Sequence, residues 1–445
     1  MSSYAGFLAY RLKMQPEDFR VEEMSDMRRV EDSRFRLYEL KKIAWNTVDA
    51  ILRISRETSI PLKRFNYGGK KDRHAVTKQF ITVEHPKDLS GDYGGYSLKA
   101  LGFVAEPMTP EHIRGNRFSL TVRNVLEREI ASIQKGFSRL GHLGFPNYFD
   151  DQRFGSFHPV VGFSFLSLYR DDPESALRFT LLSPFGGEKP HAKKRKKAIH
   201  DCWGNWNRCL EYAETRPEKA ILQELQKRKA LSGSADQKKV YLELLDRLPA
   251  EELSMGFSAL QSWIFNESLA RMLRQTAHTT ETKTPKRPGN AVISVEIKTK
   301  TGDQCFPITL ESDMLSHLIE AQCWLLGPRK GVQRPKSDNG QRSEGNDGRE
   351  RESAMCRLLD QKKNEMLEIL EIPEERFSRS LLRNAFLKSH SRPLWCIPED
   401  LEMGDFKEDE LNSGKLKYEV SFALPKGVYA TMAMKSMHLR LKGQS

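Results

Sequence analysis

Alternating apolar and polar residues near both ends of the chain constrain the fold more than any other feature. The alternation runs over residues 18–22, 118–123 and 417–424, and a period of two is typical of strands with one buried face. Between these stretches, Thr47 is predicted to cap a helix whose apolar face includes Val48, Ile51 and Leu52, and residues 254–274 carry apolar side chains at helical spacing. The order is therefore β-rich, helical and β-rich again. The simplest topology is one mixed sheet domain built from both chain ends, with a helical domain inserted between them.

This order predicts the domain boundaries. We expect residues 1–155 and 396–445 to form the sheet domain and residues 156–395 to form the inserted domain. Within the insertion, residues 328–353 contain one apolar side chain, Val332, and no aromatic residue. Such a segment cannot bury enough surface to order itself, so we predict a disordered insert.

The charge balance favours a polyanionic partner. The chain of 445 residues has 72 Lys and Arg against 60 Asp and Glu, which gives a net charge of +12 and a pI of about 9.3. This balance is typical of nucleic-acid-binding proteins, although a merely soluble basic surface is the alternative. A dense basic cluster occupies residues 189–197. It is interpreted equally well as a set of phosphate contacts and as a solvated helix face.

Cysteine usage and hydropathy predict a cytoplasmic protein. The six cysteines form no Cys-x-x-Cys pair, and no histidines have metal-ligand spacing, so we expect reduced thiols and no metal site. No apolar run approaches the roughly 20 residues of a membrane span, and the N-terminus lacks the layout of a signal peptide. We therefore expect no membrane association.

The segment 69–79, with the sequence Gly-Lys-Lys-Asp-Arg-His-Ala-Val-Thr-Lys-Gln, displays one carboxylate among cations. Asp72 is surrounded by Lys70, Lys71 and Arg73, and a strand-like run follows at residues 80–83. An ionised carboxylate in a positive field can face an anionic substrate. An Asp near glycines also commonly forms an Asx turn. Since neither a second acid for paired-acid hydrolysis nor a metal-ligand cluster accompanies Asp72, the chemistry that remains open to it is nucleophilic.

Two further segments, 115–118 and 147–155, combine amide, aromatic and arginine side chains. Amides match the donors and acceptors of base edges, and aromatic rings stack on extruded bases, although core packing explains each cluster equally well. Glu296 and Lys298 form a Glu-x-Lys pair on a strand-like run, which suggests a magnesium-dependent nuclease as an alternative. Residues 266–295 lack the aspartate that such a site also needs.

Segment 69–79 resembles the catalytic motif of the TruD family of tRNA pseudouridine synthases. Four other segments resemble family motifs in the family's order, and residues 258–271 resemble a helix of its inserted domain; the four are residues 13–23, 115–118, 146–155 and 422–431. One position departs from the pattern, because Asp150 stands where the family usually has glycine. Glycine permits a positive φ more readily than Asp does.

The resemblance implies an α+β fold: a mixed, largely antiparallel-sheet pseudouridine synthase catalytic domain with an inserted, mainly helical α/β TRUD domain. It implies that the protein isomerises uridine to pseudouridine in RNA, at position 13 of tRNA, after extruding the base. The reaction needs no cofactor and no metal. The implied partner is tRNA, with other structured RNA as a further candidate, and no obligatory protein partner is indicated.

The resemblance also assigns roles to individual residues. Asp72 is the nucleophile, and attack on ribose C1′, attack on the uracil ring and action as a base toward the sugar all stay open. Substrate contacts are implied at Phe19, Asn116 and Phe422. The supporting residues that we predict are Lys13, Lys71, Phe118, Gln152 and Arg153.

The orientation of two aromatic residues and the choice between two functions remain open at this point. The alternation of residues points Phe118 and Phe422 towards the core, which agrees with substrate contact only if the pocket opens at the end of that core. A non-catalytic RNA-binding or RNA-folding protein with the same fold is the second functional hypothesis. The intact motif around Asp72 favours the enzyme.

Overall fold

The computed structural model describes residues 3–4, 9–158, 162–182, 188–228, 234–282, 293–328 and 353–440. The chain divides into two compact units. The first comprises Ser3–Asn147 and Trp395–Ser445, and the second comprises Tyr148–Leu394. The predicted disordered insert lies outside the described residues except at its two ends.

A mixed sheet forms the first unit. Within the described ranges it has eleven strands, numbered here in chain order. They are β1 (Phe19–Ser25), β2 (Arg29–Val30), β3 (Phe35–Ile43), β4 (Phe65–Tyr67), β5 (Val76–Glu84), β6 (Gly91–Asp92), β7 (Tyr96–Val104), β8 (Ile113–Val125), β9 (Glu399–Met403), β10 (Lys407–Glu408) and β11 (Leu416–Pro425).

The spatial order of the main strands is β9-β11-β8-β1-β5-β3-β7-β2, with β10 beside β11, β4 beside β5 and β6 beside β7. Neighbouring strands are antiparallel except β1 and β5, which pair in parallel with Val21 opposite Thr77. The expected class, an α+β protein with a mixed, largely antiparallel sheet, is confirmed. The C-terminal strand β11 pairs with β8, so both chain ends contribute to one sheet.

The strands form where the sequence alternates, because alternate side chains enter the core. In β1, Phe19, Val21 and Glu23 are buried while the residues between them are exposed. Directly opposite residues share a face, and Phe118 of β8 lies opposite both Val21 and Phe422. The row of side chains on this face therefore runs across three strands.

Helices Thr47–Thr58, Ile130–Leu143 and Ala430–Met437 complete the first unit, together with short 3₁₀ turns at Pro16–Asp18, Leu62–Arg64, Pro110–His112 and Glu127–Glu129 and a small strand pair, Phe145–Pro146 with Trp395–Cys396. Helix Thr47–Thr58 buries Ile51 and Ile54 in a cluster with side chains of β3 and β5. The sequence suggested that Thr47 caps this helix, which is wrong. Asn46 occupies the cap position, and the Thr47 hydroxyl bonds to Gln79 instead.

The second unit is mainly helical. Its helices are Ser164–Tyr169, Pro173–Leu182, Pro190–Asp201, Trp206–Tyr212, Arg216–Lys227, Ser234–Leu245, Ala250–Thr282, Ser312–Glu320 and Ala354–Ile369, with 3₁₀ turns at Asp151–Phe154 and Glu374–Ser378. Strands Ser294–Lys298 and Asp303–Pro307 form a hairpin, and Gln322–Trp324 pairs with Ser391–Pro393. The apolar stripe of the long helix is buried, as its spacing predicts.

Two cysteines correct the sequence prediction. Cys323 and Cys356 form a disulfide, so the expectation of six reduced thiols is wrong for this pair. Their separation of 33 residues resembles no thiol motif, which is why spacing alone did not reveal the contact. Among the described helices, none combines the length and apolar character that a membrane crossing requires.

Candidate active site

The Asp72 loop connects β4 to β5, and two buried side chains, Gln79 of its own motif and Thr47 of a nearby helix, hold it in place. The side-chain amide of Gln79 donates to the carbonyl of Gly69 at 3.2 Å. The Thr47 hydroxyl donates to the Gln79 side-chain oxygen at 2.7 Å and accepts from the backbone N–H of Lys71 at 3.0 Å. Because Gln79 and Thr47 are both almost fully buried, these bonds fix the loop against the sheet.

A close backbone approach explains the glycine at position 68. A Cβ atom there would lie 2.5 Å from Cδ1 of Ile113 and 2.9 Å from the carbonyl oxygen of Thr109. Only glycine lets the loop begin this close to the start of β8.

Asp72 is displayed at the surface in an ionised form. About a third of its side chain is exposed, its Oδ2 pairs with the Lys13 ammonium, and its Oδ1 accepts from the backbone N–H of His74 at 3.0 Å. Burial opposes ionisation, but the hydrogen bond and charge of Lys13 and the N–H of His74 outweigh it, so the pKa of Asp72 lies below its ordinary value. The carboxylate is available as a nucleophile at neutral pH.

Lys13 is held in a strained conformation beside Asp72. Its φ of 60° is left-handed, which costs a non-glycine residue roughly 1–2 kcal/mol. Its ammonium lies 4.1 Å from the ring centroid of Phe19, so one cation contacts both the carboxylate and an aromatic face. Strained backbone of this kind concentrates at functional sites.

A buried lysine, Lys42, holds the backbone of the Asp72 loop. Lys42 of β3 has no exposed surface, and its Nζ donates to the carbonyl of Asp72 at 2.8 Å and to that of Lys71 at 3.4 Å. Burial lowers the pKa of Lys42 to about 8, although the Asp72 charge raises it in part and Lys71 lowers it further. Lys42 therefore positions the backbone that carries the carboxylate.

We expect activity to fall as the pH rises through about 8, because a neutral Lys42 amine holds the Asp72 carbonyl less tightly. Stability should not fall with it. The pKa of Lys42 is lower in the folded than in the unfolded chain, so the unfolded chain binds more protons above pH 8 and this group's contribution to stability rises with pH. Initial rates and thermal unfolding measured from about pH 6 to about pH 10 separate the two effects.

Lys42→Met should show low activity and lack the alkaline decline that Lys42 causes. Lys78→Met is the matched control, because Lys78 forms an exposed ion pair with Glu22. This control should keep the alkaline decline. An unchanged decline in Lys42→Met would contradict the assignment.

Lys71 connects the loop to the sheet. Its Nζ lies 2.6 Å from Oε2 of Glu23 and donates to Oδ1 of Asn116 at 2.6 Å. Glu23 also accepts from the backbone N–H of Phe80 at 3.1 Å. The Glu23 side chain is fully buried and Lys71 is 11% exposed, so this pair is a structural contact of the site.

Three aromatic rings extend from Lys13 into the core. The Phe19 and Phe118 centroids are 6.1 Å apart, and those of Phe118 and Phe422 are 5.7 Å apart. Phe19 is 5% exposed, Phe118 7% and Phe422 0%. The structure therefore brings Asp72 and Lys13 together with these rings at the end of a core row. Because Phe19 and Phe118 lie between Lys13 and Phe422 in this row, a base can contact Phe422 only if these two rings move.

Gln152 and Arg153 lie in the second unit, on the turn Asp151–Phe154, and line a cavity of about 590 Å³ there. Arg153 Nε donates to the hydroxyl of Ser262 at 3.3 Å, while Gln152 is exposed. Asp150 precedes this turn with a φ of −81°, which any L-residue adopts. The departure from glycine at this position therefore causes no strain.

The basic cluster lies on and before helix Pro190–Asp201. Arg195 pairs with Glu214 and Glu218, Lys196 with Glu188 and Lys197 with Asp201, all within the second unit; the exposed remainder is Lys189, Lys193 and Lys194. Half of the cluster thus stabilises its own domain. The rest remains available for phosphate contacts.

The nuclease alternative finds no support at Glu296. Both carboxylate oxygens accept hydrogen bonds from Arg274, at 2.8 and 2.9 Å, and the residue is buried. A carboxylate committed to a bidentate arginine is a poor metal ligand. Its role is to hold the hairpin against the long helix.

Sequence patterns did not reveal three residues that shape the site. Lys42 falls on a strand with no motif, and Thr47 was interpreted as a helix cap. Glu23 belongs to the N-terminal motif, but only the register that places it opposite Asn116 shows what it does.

A mixed sheet that presents one ionised carboxylate beside aromatic rings, with a helical unit inserted between its chain ends, agrees with the pseudouridine synthase class that the sequence motifs predict. The family model described as tRNA pseudouridine synthase D (TruD) matches residues 4–437, and the chain belongs to this family.

Relatives of known name agree with this membership. The tRNA pseudouridine synthase D of Leptospira interrogans is 35% identical over 439 residues, covering 98% of each chain. A protein of Methanococcus maripaludis named "Probable tRNA pseudouridine synthase D 1" is 29% identical, over 96% of this chain and 98% of the relative. A crystal structure from Methanosarcina mazei assigned to TruD has a TM-score of 0.67 at 23% identity, covering 98% of this chain and 94% of the other, and shows the common fold.

Proposed function

We propose that this protein converts uridine at position 13 of tRNA to pseudouridine, with Asp72 as the nucleophile. The observation that carries the proposal is the ionised Asp72 carboxylate, paired with Lys13 and next to Phe19, on the loop that matches the family's catalytic motif. The names of its relatives supply the tRNA substrate. Because tRNA is the proposed substrate, we place the reaction in the cytoplasm.

The reaction is an isomerisation and balances without an external reactant. The bond between ribose C1′ and uracil N1 breaks, the base rotates, and a bond between C1′ and C5 forms. The proton on C5 is lost and N1 gains one. Asp72 supplies the nucleophilic or basic carboxylate for this exchange, and the charge of Lys13 keeps it ionised.

The target base must leave its stack to reach Asp72, which costs a few kcal/mol. Stacking on an aromatic side chain recovers about 1–3 kcal/mol per base. Phe19 is the ring that lies next to the Lys13–Asp72 pair, so we assign the first stacking contact to it, with Asn116 at the base edge and Phe422 behind Phe118. Contacts between the protein and the RNA phosphates supply the rest of the free energy that extrusion of the base requires.

We expect the phosphate contacts to come from the exposed lysines at 189, 193 and 194, supported by the overall charge of +12. We keep Gln152 and Arg153, which line the cavity of the second unit, as proposed supporting residues.

Chemical mapping of pseudouridine in tRNA after incubation with the purified protein tests reaction, substrate and position together. We expect one new pseudouridine at position 13 without any added cofactor, and none in tRNA carrying cytidine there. Modification at another position would refute the assigned site. A tRNA without pseudouridine after prolonged incubation would refute the activity.

Lys13→Met should raise the pKa of Asp72, because it removes the ammonium that lowers it. A carboxylate that must be ionised to act gains its activity as the pH rises through its pKa, so the acid limb of the pH–rate profile should move to higher pH. Lys13→Arg keeps the charge and should keep the limb near its original position. The measurement is kcat/KM from about pH 2.5 to about pH 7, because the acid limb of the wild type lies below the ordinary pKa of a carboxyl group. An acid limb that does not move in Lys13→Met would show that Lys13 does not control ionisation.

A further inference from the structure

The contacts of Lys71 fix the orientation of the Asn116 amide. An ammonium group only donates hydrogen bonds, so the atom of Asn116 that lies 2.6 Å from Nζ must be the carbonyl oxygen. Amide orientations are ordinarily ambiguous, but a pure donor removes the ambiguity. The NH₂ group of Asn116 is consequently directed away from Lys71.

Glu23 makes this arrangement directional. The buried Glu23 carboxylate forms an ion pair with the Lys71 ammonium through Oε2, at 2.6 Å, while its Oε1 accepts from the backbone N–H of Phe80. Rotation of Lys71 away from Asn116 would leave a buried carboxylate with a poorer partner, which is costly. The row Glu23–Lys71–Asn116 therefore runs from a carboxylate to an ammonium to an amide oxygen, and it ends in the two N–H groups of the amide.

The geometry points to Lys71, held by Glu23, as the positioning residue that sets the base specificity of the site. Through Lys71, Asn116 presents N–H donors to the substrate, and these donors match the O4 carbonyl of uracil and oppose the amino group that cytosine carries at the same ring position. The inference rests on the proposed function, because it takes Asn116 as the residue that contacts the target base. An amide ordinarily offers a base both a donor and an acceptor. Because Lys71 occupies the oxygen of Asn116, the donors are the groups that remain for the base.

The symmetry of uracil makes a donor suitable for this reaction. Rotation of the detached ring by half a turn about the axis through N3 and C6 exchanges N1 with C5 and exchanges O2 with O4. A donor aimed at one carbonyl therefore meets a carbonyl oxygen before and after the rotation. Asn116 can hold the base throughout without changing its own orientation.

The charge of Lys71 is not available for other tasks. Its ammonium is 11% exposed and lies against the fully buried Glu23 carboxylate, so it is poorly placed to bind a phosphate. This distinguishes it from Arg73 of the same loop, which is exposed.

Equilibrium binding measures the specificity without catalysis. In an Asp72→Asn background, two transcripts that differ only by uridine or cytidine at position 13 are compared by competition. We expect the chain with an intact row to prefer uridine by about tenfold, the discrimination that one well-oriented base contact gives. Lys71→Met should bring the ratio close to one, because the amide is then free to turn. Lys71→Arg, which still only donates, should preserve the preference.

Asn116→Asp gives a second, independent result. The new carboxylate has the shape of the amide that it replaces and still accepts from Lys71. It offers the base an acceptor in place of the two donors, so cytidine should become the preferred base. Equal weakening of both transcripts by Lys71→Met, with an unchanged ratio, would overturn the inference, because a merely structural lysine does that. Failure of the proposed function is seen separately, as wild-type protein that forms no pseudouridine.

Discussion

Asp72→Asn is expected to abolish pseudouridine formation, with a loss of at least about 10⁴-fold in kcat, because an amide has the size of the carboxylate but is a very poor nucleophile. Binding of tRNA should persist, since the loop is held by Gln79, Thr47 and Lys42 and none of these bonds uses the Asp72 side chain. Release of label from C5 of uracil in tRNA measures the first effect, and equilibrium binding measures the second.

Asp26→Asn is the matched control for this variant. Asp26 also belongs to the first unit and forms an exposed ion pair, with Arg114 at 3.3 Å. Its replacement should leave both activity and binding close to wild type. Full activity of Asp72→Asn would refute the nucleophile. Loss of binding together with activity would show instead that Asp72 organises the RNA site.

Arg123→Met is expected to cause the largest loss of stability, about 3–5 kcal/mol. The guanidinium of Arg123 is buried and donates to Asp18 and to Asp409, in each case at 2.8 Å. Its removal leaves two buried carboxylates without their cation. Asp18 precedes β1 and Asp409 precedes β11, so the same change loosens the junction between the two chain ends. Unfolding in urea, followed by circular dichroism, measures the difference.

Arg114→Met provides the control on the same strand, because the ion pair between Arg114 and Asp26 is exposed and should contribute no more than about 1 kcal/mol. Burial disfavours ionisation of Asp409, but the N–H of Asn124 and the bonds from Asn412 and Arg123 outweigh it, so the pKa of Asp409 is lowered. Its contribution to stability is therefore present above the ordinary carboxyl pKa and is lost as the pH falls. The difference in the free energy of unfolding between wild type and Arg123→Met should therefore become smaller as the pH falls. An equal effect of the two arginine substitutions would contradict the role of burial.

Much of the fold follows from local patterns. The alternation around Phe118 and Phe422 marks β8 and β11, and the stripe of residues 254–274 marks the buried face of the long helix, because burial on one face imposes a period on the sequence. The motif around Asp72 was recognisable for a related reason. Gly69 and Gln79 are ten residues apart because the side chain of Gln79, on the strand that follows, holds the loop at the carbonyl of Gly69.

Contacts between distant positions could not be predicted in this way. Lys42 is separated from Asp72 by 30 residues, and nothing in its neighbourhood distinguishes it from a surface lysine. Cys323 and Cys356 are likewise joined by a tertiary contact, with no signal in their spacing. Thr47 was misassigned because a threonine at a helix start ordinarily caps it.

The sequence by itself determined the order of β-rich and helical segments, the family, and Asp72 as the candidate nucleophile, because each depends on residues close together in the chain. Tertiary structure decided which atoms the side chains around that carboxylate contact. The register of β1 against β8 places Glu23 opposite Asn116 and lets Lys71 orient the amide. The folded chain also places Lys13, 59 residues away, against Asp72. Such contacts depend on how strands pair and which side chains lose water, and neither is written in a local pattern.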